Sequence, residues 1–176
     1  MELPTGTLPT GLEARQYVSA LYQTHALALV KLAVLMTGDQ STAEDVVQDA
    51  FLGLYRRWSS LQDTGNAVGY LRTSVLNGCR SVHRVRFRRQ GITLDPPEPV
   101  GSAEGEAMLG EAHREVLAAL RLLPARQREC VVLRYYLDMT EEQAARTMGV
   151  SRGTVKSSTS RGLAALARLL KEEESR

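Results

Sequence analysis

Aromatic residues make up only 5% of this 176-residue sequence, and cysteine, histidine and lysine are also scarce. The many Ala and Leu residues, with few aromatic or β-branched runs, favour helices over sheets. The three histidines, His25, His83 and His113, lie in unrelated contexts. No Ser/His/Asp, Cys/His or glycine-rich phosphate-loop arrangement can be assembled from the spacing of motifs. The sequence therefore indicates no enzyme class.

Cysteine occurs only at positions 79 and 130. The first eleven residues lack a basic start followed by an apolar stretch, so they predict a flexible tail rather than a secretion signal. Two isolated cysteines without such a signal predict reduced thiols in a cytoplasm. Cys79 and His83 are one helical turn apart, which is half of a zinc site, but no second half has matching spacing. We therefore predict no metal and no other cofactor.

Long apolar runs are also absent. The longest apolar-rich stretch, residues 26–36, contains Lys31 and is too short to span a bilayer. The sequence predicts a soluble protein without direct membrane insertion, so any link to a membrane must pass through a partner.

The apolar spacing in the first half predicts three helices, over residues 12–37, 41–58 and 67–89. Gly38 ends the first, and a capping box from Ser41 to Glu44 opens the second. Residues 59–68 are polar, contain Gly65 and Asn66, and predict a loop. The expected inner row of the second helix is Val46, Val47, Ala50, Phe51, Leu54, Tyr55 and Trp58. The expected buried row of the third is Tyr70, Leu71, Ser74, Val75, Gly78, Cys79 and Val82.

Charge is distributed unevenly along the chain. No acidic residue occurs in residues 64–94, which hold six arginines. Residues 91–111 reverse this, with five acidic residues, three prolines, four glycines and no Lys or Arg. This composition predicts a flexible acidic linker. It would join two small helical domains, residues 12–90 and 112–171, with tails at 1–11 and 172–176.

The second half predicts a helix-turn-helix, in which two helices meet at a tight glycine turn. Helices are expected over residues 113–123, 124–137, 140–148 and 151–171. A capping box runs from Thr140 to Gln143, Gly149 forms the turn and Ser151 caps the last helix. The small residues Ala144 and Ala145 allow close packing, and Val150 and Val155 fill the angle between the helices.

Polar residues of the last helix then remain outside. Lys156, Ser157, Ser160 and Arg161 form this face, and the free helix N-terminus suits phosphate. The alternative is an ordinary helical hairpin with a solvated polar face. The helix-turn-helix pattern favours DNA binding.

An arginine face is predicted on the third helix. Arg80, Arg84 and Arg88 are spaced by four, so they share one side. Arg86 and Arg89 add to its end, while Arg72 and Asn77 lie earlier. A solvated charged face would normally include acidic residues, so their absence favours contact with phosphates and bases.

An acidic face is predicted on the second helix, where Asp45, Gln48 and Asp49 project away from the apolar row. Asp45 and Asp49 are one turn apart, but no His, Cys or third carboxylate is placed to complete a metal site. The residues alone favour a solvated face, with a docking surface for a basic partner as the next alternative.

Three segments in order resemble a known family. AEDVVQDAFLGLYRRW, YLRTSVLNGCRSVHR and LPARQRECVVLRYYLDMTEEQAARTMGVSRGTVKSSTSRGLAAL are similar to RNA polymerase sigma factors of the extracytoplasmic-function (ECF) group. The forms YLRTSVLN and TVKSSTSR look most like the actinobacterial SigE-like branch. The resemblance covers nearly everything between residues 17 and 170 except the linker.

The resemblance implies a role for each surface. It implies two helical domains, sigma regions 2 and 4, that bind core RNA polymerase and promoter DNA. The acidic face would dock on the clamp helices of the polymerase β′ subunit, through Asp45, Gln48 and Asp49. This implied role replaces the solvated face that the residues alone favoured. Residues 59–68 would capture a flipped base of the minus-ten element, and the linker would thread toward the polymerase active centre and RNA exit path.

The resemblance also implies further partners, a location in the cell and two DNA-binding surfaces. The resemblance implies that region 4 also meets the β flap of the polymerase, and that the protein acts in the cytoplasm, at the nucleoid. An anti-sigma factor is a further implied partner. The implied minus-ten contacts are Arg72, Asn77, Arg80, Arg84 and Arg88. The implied minus-thirty-five contacts are Arg152, Thr154, Lys156, Ser157, Ser160 and Arg161.

Two positions depart from the family pattern. Many members have an acidic residue where this chain has Ser81, which makes the third helix still more basic. Many have an arginine at Ser158, so this chain is expected to lack one possible DNA contact.

Two other functions compete with the sigma factor. A stand-alone helix-turn-helix regulator would use the N-terminal domain to dimerise, but it leaves the acid-free arginine helix unexplained. A metal-dependent nuclease would need Glu44, Asp45 and Asp49 to converge, which neighbours along one helix cannot all do.

Overall fold

A computed structural model describes residues 11–58, 66–90 and 111–174, and within these ranges it contains helices and no strand. The predicted all-helical class is thereby confirmed. A π-helical turn over Val132–Tyr136 continues the fifth helix. The helices are α1 (Gly11–Thr37), α2 (Gln40–Arg57), α3 (Ala67–Gln90), α4 (Glu111–Leu122), α5 (Ala125–Val131), α6 (Glu141–Met148) and α7 (Arg152–Glu174).

Helices α1, α2 and α3 pack together around one apolar core. Leu32, Leu54 and Leu71 are almost fully buried at its centre. Gly78 lies where α3 meets α2, and a Cβ there would be 2.7 Å from Cγ1 of Val46. The missing side chain therefore allows the close approach of the two helices.

The predicted inner rows are correct in part. In the α3 row Leu71, Val75 and Cys79 are buried, whereas the others are only half-buried: Tyr70, Ser74, Gly78 and Val82. Ala43 of α2 and Ala67 of α3 are buried but were not predicted.

Tyr55 was expected inside α2 but is 42% exposed, whereas Trp58 is buried and stacks on Tyr17. Leu76 of α3 was left out of the predicted row but is buried. Both residues lie at the edge of the apolar stripe, where helical spacing alone does not decide burial.

The N-terminus of α2 differs from the prediction. Gly38 ends α1 with a φ of +76°, as expected, and Asp39 then caps α2 by accepting a hydrogen bond from the backbone N–H of Thr42 at 2.8 Å. The predicted capping box from Ser41 to Glu44 is wrong because both residues already lie within the helix. The tight glycine turn lets the helix start one residue earlier, at Gln40, and moves the cap two residues earlier, to the carboxylate of Asp39.

The helix-turn-helix forms as predicted. Thr140 and Gln143 make the reciprocal bonds of a capping box, at 3.1 and 2.8 Å. Gly149 turns the chain with a φ of +65°, and Val155 is fully buried between α6 and α7. The hydroxyl of Ser151 accepts from the N–H of Thr154 at 3.1 Å. These four local signals fix the geometry of the motif.

Several predicted segments lie outside the described residues: the tail before residue 11, loop residues 59–65, linker residues 91–110 and the last two residues. At their borders, the last two residues of the expected loop, Ala67 and Val68, already belong to α3. Glu111, expected at the end of the linker, begins α4. Helix α7 continues to Glu174, three residues beyond its expected end.

By length and composition alone, residues 12–37 of α1 could cross a membrane. The sequence-based prediction considered only residues 26–36 and so underestimated the apolar length of this helix. Leu29, Leu32 and Met36 of α1 are buried in the shared core with α2 and α3. This packing accounts for the apolar residues on the buried side of α1, whereas Leu12 and Leu27 of the same helix are exposed.

Residues from both halves of the chain pack into the same apolar core. The main core cluster includes residues of α1–α3 together with Cys130, Leu133 and Ala144 from the second half. A smaller cluster around Leu120 and Leu166 packs against Leu35 of α1. The two helical units therefore dock against each other in this structure.

Candidate polymerase and DNA interfaces

The acidic face of α2 is open to solvent. Asp45, Gln48 and Asp49 are all exposed, as their spacing predicted. Leu52, one turn further on, is 50% exposed on the same side. The sequence analysis missed Leu52, although its position three residues after Asp49 could have indicated it. The face therefore combines two carboxylates with an exposed apolar residue at its end, which suits a protein partner.

These carboxylates do not converge with a third ligand. No group of three or more His, Cys, Asp or Glu side chains able to hold a metal ion occurs within residues 11–58, 66–90 and 111–174. Glu44, the third residue of the nuclease alternative, accepts a hydrogen bond from Gln40 at 2.6 Å. The geometry thus gives that alternative no support.

Helix α3 presents part of the predicted basic face. Arg72, Asn77, Arg84 and Arg88 are exposed. Phe87, between two of these arginines, is 75% exposed and was not singled out from the sequence. An exposed aromatic ring among arginines can stack on an unpaired base. This surface could therefore hold single-stranded DNA.

Arg80 is already bonded within the chain. Its Nε donates to Oε1 of Glu129 on α5 at 2.8 Å, and its Nη2 also contacts that oxygen. Nη2 further donates to the carbonyl oxygen of Thr147 at 3.1 Å, and Nη1 donates to Asn77 at 2.8 Å. The prediction of an open arginine face is therefore wrong at Arg80, because a carboxylate from the other helical unit reaches it.

Arg86 is also turned inward. Its guanidinium donates to the carbonyl oxygen of Thr37 at 3.1 Å and to the hydroxyl of Thr42 at 3.0 Å. The expected addition of Arg86 to the basic face is wrong, because the long side chain folds back to bind the junction of α1 and α2. Nothing is described for the side chain of Arg89.

Cys79 is buried, and His83 is half-buried where α3 meets α1 and α5. Burial, followed by the nearby carboxylate of Glu129, raises the pKa of the Cys79 thiol to about 12. Nε2 of His83 lies 2.8 Å from the carbonyl oxygen of Met36 and 3.1 Å from Nη2 of Arg128. Burial and the charge of Arg128 lower the pKa of His83. Cys79 and Cys130 are both free thiols, in agreement with the sequence-based prediction.

The outer face of α7 carries the remaining predicted DNA contacts. Arg152, Lys156, Ser160 and Arg161 are exposed, whereas Thr154 and Ser157 are half-buried. Arg152 lies 3.8 Å from a carboxylate oxygen of Glu141. Arg152 and Lys156 lie in the first turns of α7, and Arg161 lies further along the helix.

Ser158 belongs to the interior of the second unit. Its side chain is only 7% exposed and hydrogen bonds with the thiol of Cys130. The sequence-based prediction treated this position as a lost DNA contact. The side chain points into the packing between α5 and α7. The missing DNA contact at Ser158 stays a prediction.

Two family models match the chain. The model for Sigma-70 region 2 matches residues 21–91, and the model for Sigma-70, region 4 matches residues 113–166. The chain is 35% identical over 156 residues to the RNA polymerase sigma-E factor of Streptomyces coelicolor, covering 88% of this chain and 84% of that protein. It is 33% identical over 150 residues to the ECF RNA polymerase sigma factor SigM of Mycobacterium tuberculosis, covering 85% of this chain and 75% of that one.

The chain belongs to the ECF sigma factors of RNA polymerase, and within them it is SigE-like. A sigma factor is a DNA-binding initiation factor that works with core polymerase at promoters. The region 2 match covers most of α1 and all of α2 and α3, including the acid-free arginine helix that the alternative of a stand-alone regulator left unexplained.

Solved structures of other proteins share this architecture. The sigma factor RpoE of Bartonella quintana, in complex with the anti-sigma factor NepR, has a TM-score of 0.64 and 27% identity, covering 87% of this chain and 98% of that one. CnrH in complex with the cytosolic domain of CnrY has a TM-score of 0.58 and 24% identity, covering 92% and 97%. The likeness to CnrH concerns the fold alone.

Proposed function

We propose that this sigma factor divides its work among three separate surfaces. The exposed acidic face of α2 docks on the clamp helices of the polymerase β′ subunit, through Asp45, Gln48 and Asp49 with Leu52 at the end of the face. Opposite charges across such an interface set its register and speed the encounter. The basic faces of α3 and α7 remain available for DNA because they lie on other helices.

The α3 surface takes the minus-ten element. Arg72, Arg84 and Arg88 would neutralise phosphates, while Asn77 and Arg80 would contact bases of the opened strand. Extruding a base from a duplex costs a few kcal/mol. Contacts to the unpaired strand would offset that cost, and the exposed ring of Phe87 adds a stacking surface.

The α7 surface takes the minus-thirty-five element. Arg152, Lys156 and Arg161 carry its positive charge, and Thr154, Ser157 and Ser160 add hydroxyl groups. A single helix-turn-helix makes few contacts, so this unit alone binds weakly. Core polymerase would hold this surface and the minus-ten surface on the same promoter, and the β flap is expected to bind region 4.

Location and regulation complete the proposal. Because core polymerase and the nucleoid lie in the bacterial cytoplasm, the chain acts there as a non-enzymatic subunit. Its similarity to a sigma factor solved with the anti-sigma factor NepR supports an anti-sigma factor as a further partner. The observation that carries the division of labour is the solvent exposure of three polar faces on α2, α3 and α7.

The experiment is reconstitution with core polymerase. The chain is mixed with core, and the assembled enzyme is assayed for promoter opening. We expect co-purification with core and opening that depends on the added chain. A chain that binds promoter DNA specifically by itself, without core, would instead support a stand-alone regulator.

A further inference from the structure

Three arginines from three different helices meet at the turn that joins α1 to α2. Arg86 of α3 donates to the carbonyl oxygen of Thr37 at 3.1 Å. Arg121 of α4 packs against Gly38, where a Cβ would lie 3.0 Å from the Cγ and 3.3 Å from the Nε of that arginine. Arg128 of α5 donates from Nη1 to the carbonyl oxygen of Arg121 at 3.3 Å. We refer to these three side chains as the arginine cluster.

Little negative charge balances the arginine cluster. Asp39 is the carboxylate beside it. Burial alone would raise the pKa of Asp39, but its hydrogen bonds to Thr42 and the charges of Arg86 and Arg121 lower it. That carboxylate caps α2, and it accepts from the backbone N–H of Thr42 at 2.8 Å. One carboxylate thus faces three guanidinium groups.

Arg128 lies at the buried side of the cluster. It is 6% exposed, its Nε has no hydrogen-bond partner, and within the described part of the chain no carboxylate forms an ion pair with it. Burial, followed by the charge of Arg86, lowers the pKa of Arg128 to about 10. Buried charges are normally paired, because removing a charge from water is costly. The geometry therefore leaves a donor and a positive charge uncompensated.

The edge of the arginine cluster is open to solvent. Arg86, Arg121 and Asp39 are only half-buried. Arg86 and Thr42 also line a groove of about 540 Å³ between α2 and α3. Asp49 lines the same groove, but it lies about 10 Å further along α2 than Thr42 by helical rise. An anion at Arg86 therefore has space and solvent access, and the acidic part of the groove lies away from it.

We propose that the arginine cluster binds a small anion that carries two linked phosphate groups. Guanidinium groups match phosphate oxygens in a bidentate geometry, and two phosphates compensate more charge than one. The ligand is a small anion rather than a nucleic-acid backbone, because these donors are recessed at a turn, whereas the basic residues on α7 proposed to bind DNA are exposed. The site is independent of the proposed polymerase and DNA surfaces, since Arg86, Arg121 and Arg128 belong to neither.

The test titrates inorganic pyrophosphate into the full chain by isothermal titration calorimetry, in chloride buffer at constant ionic strength. Arg121→Met removes one guanidinium and keeps an unbranched apolar side chain. The loss of one charged hydrogen-bonding group should weaken binding at least about tenfold. No binding to wild type, or equal affinities for wild type and Arg121→Met, would overturn the site.

The matched control for this titration is Arg15→Met. Arg15 is exposed near the start of α1, about 33 Å from Thr37 by helical rise. The substitution removes the same charge from the chain without touching the arginine cluster, so the affinity for pyrophosphate should not change. Equal losses in Arg15→Met and Arg121→Met would show attraction by the net charge alone and would overturn the site.

A second variant should change the affinity in the opposite direction. Asp39→Asn removes the carboxylate that competes for the arginines and keeps a side chain that caps helices well. It should raise the affinity for pyrophosphate at least about fivefold. If Arg121→Met failed to fold, its helical circular dichroism signal would be lost, and Asp39→Asn would decide alone. An affinity no higher than that of wild type would overturn the site in either case.

Two further probes identify the source of the phosphates. Tighter binding of adenosine diphosphate than of pyrophosphate assigns the site to a nucleotide, and the reverse order assigns it to the inorganic anion. A short duplex DNA of mixed sequence should bind Arg121→Met and wild type equally, whereas Arg161→Ala should weaken it. A loss of duplex binding in Arg121→Met without pyrophosphate binding would overturn the site. Unchanged duplex binding in Arg161→Ala would instead contradict the proposed DNA surface of α7 and leave the pyrophosphate result standing.

Discussion

The guanidinium of Arg128 and the imidazole of His83 face each other across the two helical units, with Nη2 and Nε2 separated by 3.1 Å. The same Nε2 lies 2.8 Å from the carbonyl oxygen of Met36. When Nε2 donates to that oxygen, it cannot also accept from Arg128. Arg86 adds a second positive charge nearby, whereas the carboxylates of Asp39 and Glu129 bind Thr42 and Arg80 instead. Neutral His83 therefore fits this site and protonated His83 does not.

This relationship predicts a pH dependence. Burial and Arg128 lower the pKa of folded His83 below the ordinary 6.5, so the unfolded or opened chain takes up the proton first. The contribution of neutral His83 to the stability of the docked chain is then fully present above pH 6.5 and is lost as the pH falls through the lowered pKa of the folded state. Thermal unfolding across this range should show the loss, and His83→Gln, which keeps a donor for Met36, should reduce it. If the stability of His83→Gln fell equally steeply with decreasing pH, His83 would not be the cause of the pH dependence.

Reversing a charge on α2 should release core polymerase. In Asp49→Arg the exposed face loses an acidic group and gains a basic one, while the buried side of the helix is untouched. Close charge pairs at interfaces couple by about 1.5–7 kcal/mol, so affinity should fall at least about tenfold. Binding to labelled core measures this. Glu172→Arg, an equal reversal near the end of α7, is the control, and unchanged affinity of Asp49→Arg would contradict the docking face.

Removing two arginines from α3 should block promoter opening. Arg80→Ala with Arg84→Ala leaves the α2 face intact, so core binding should be retained. Hydrogen bonds to charged groups contribute about 1.5–3 kcal/mol each, so the open complex should fall by about a hundredfold or more. Permanganate footprinting reports unpaired thymines. A bubble of wild-type extent in the double variant would show that these arginines do not hold the opened strand.

Two positions on α7 should give different phenotypes. Lys156→Ala should relax the preference for one minus-thirty-five base, because a good base contact is worth about 1–3 kcal/mol of discrimination. Arg161→Ala should weaken every promoter by a similar factor and flatten the salt dependence, as expected for a phosphate contact. A promoter library transcribed with each variant separates the two. Equal shifts in sequence preference, or none in either, would refute this division of roles.

Local signals allowed much of this fold to be predicted from the sequence. The reciprocal bonds of Thr140 and Gln143, the turn at Gly149 and the cap at Ser151 each depend on residues within one helical turn. The acidic face of α2 follows from the same periodicity. These features are predictable because their partners are close along the chain.

The errors have a different origin. Arg80 meets Glu129 across 49 residues of sequence, and Arg86 reaches Thr37 across the same separation. Helical spacing tells which side of a helix a residue occupies, but it does not tell what packs on that side. The long side chain of arginine also reaches partners on a neighbouring helix that a shorter side chain would not reach. At Ser158, the family pattern suggested a surface position, but in this chain the side chain is buried.

The most direct test of the central claim, that this chain directs initiation as a sigma factor, is transcription of genomic DNA by core polymerase with and without it, with transcript starts sequenced. The account predicts a defined set of starts that appears only with the added chain. Those starts should share two upstream elements, one near minus ten and one near minus thirty-five, and they should vanish with Asp49→Arg. A pattern of starts identical to that of core polymerase alone would contradict the account.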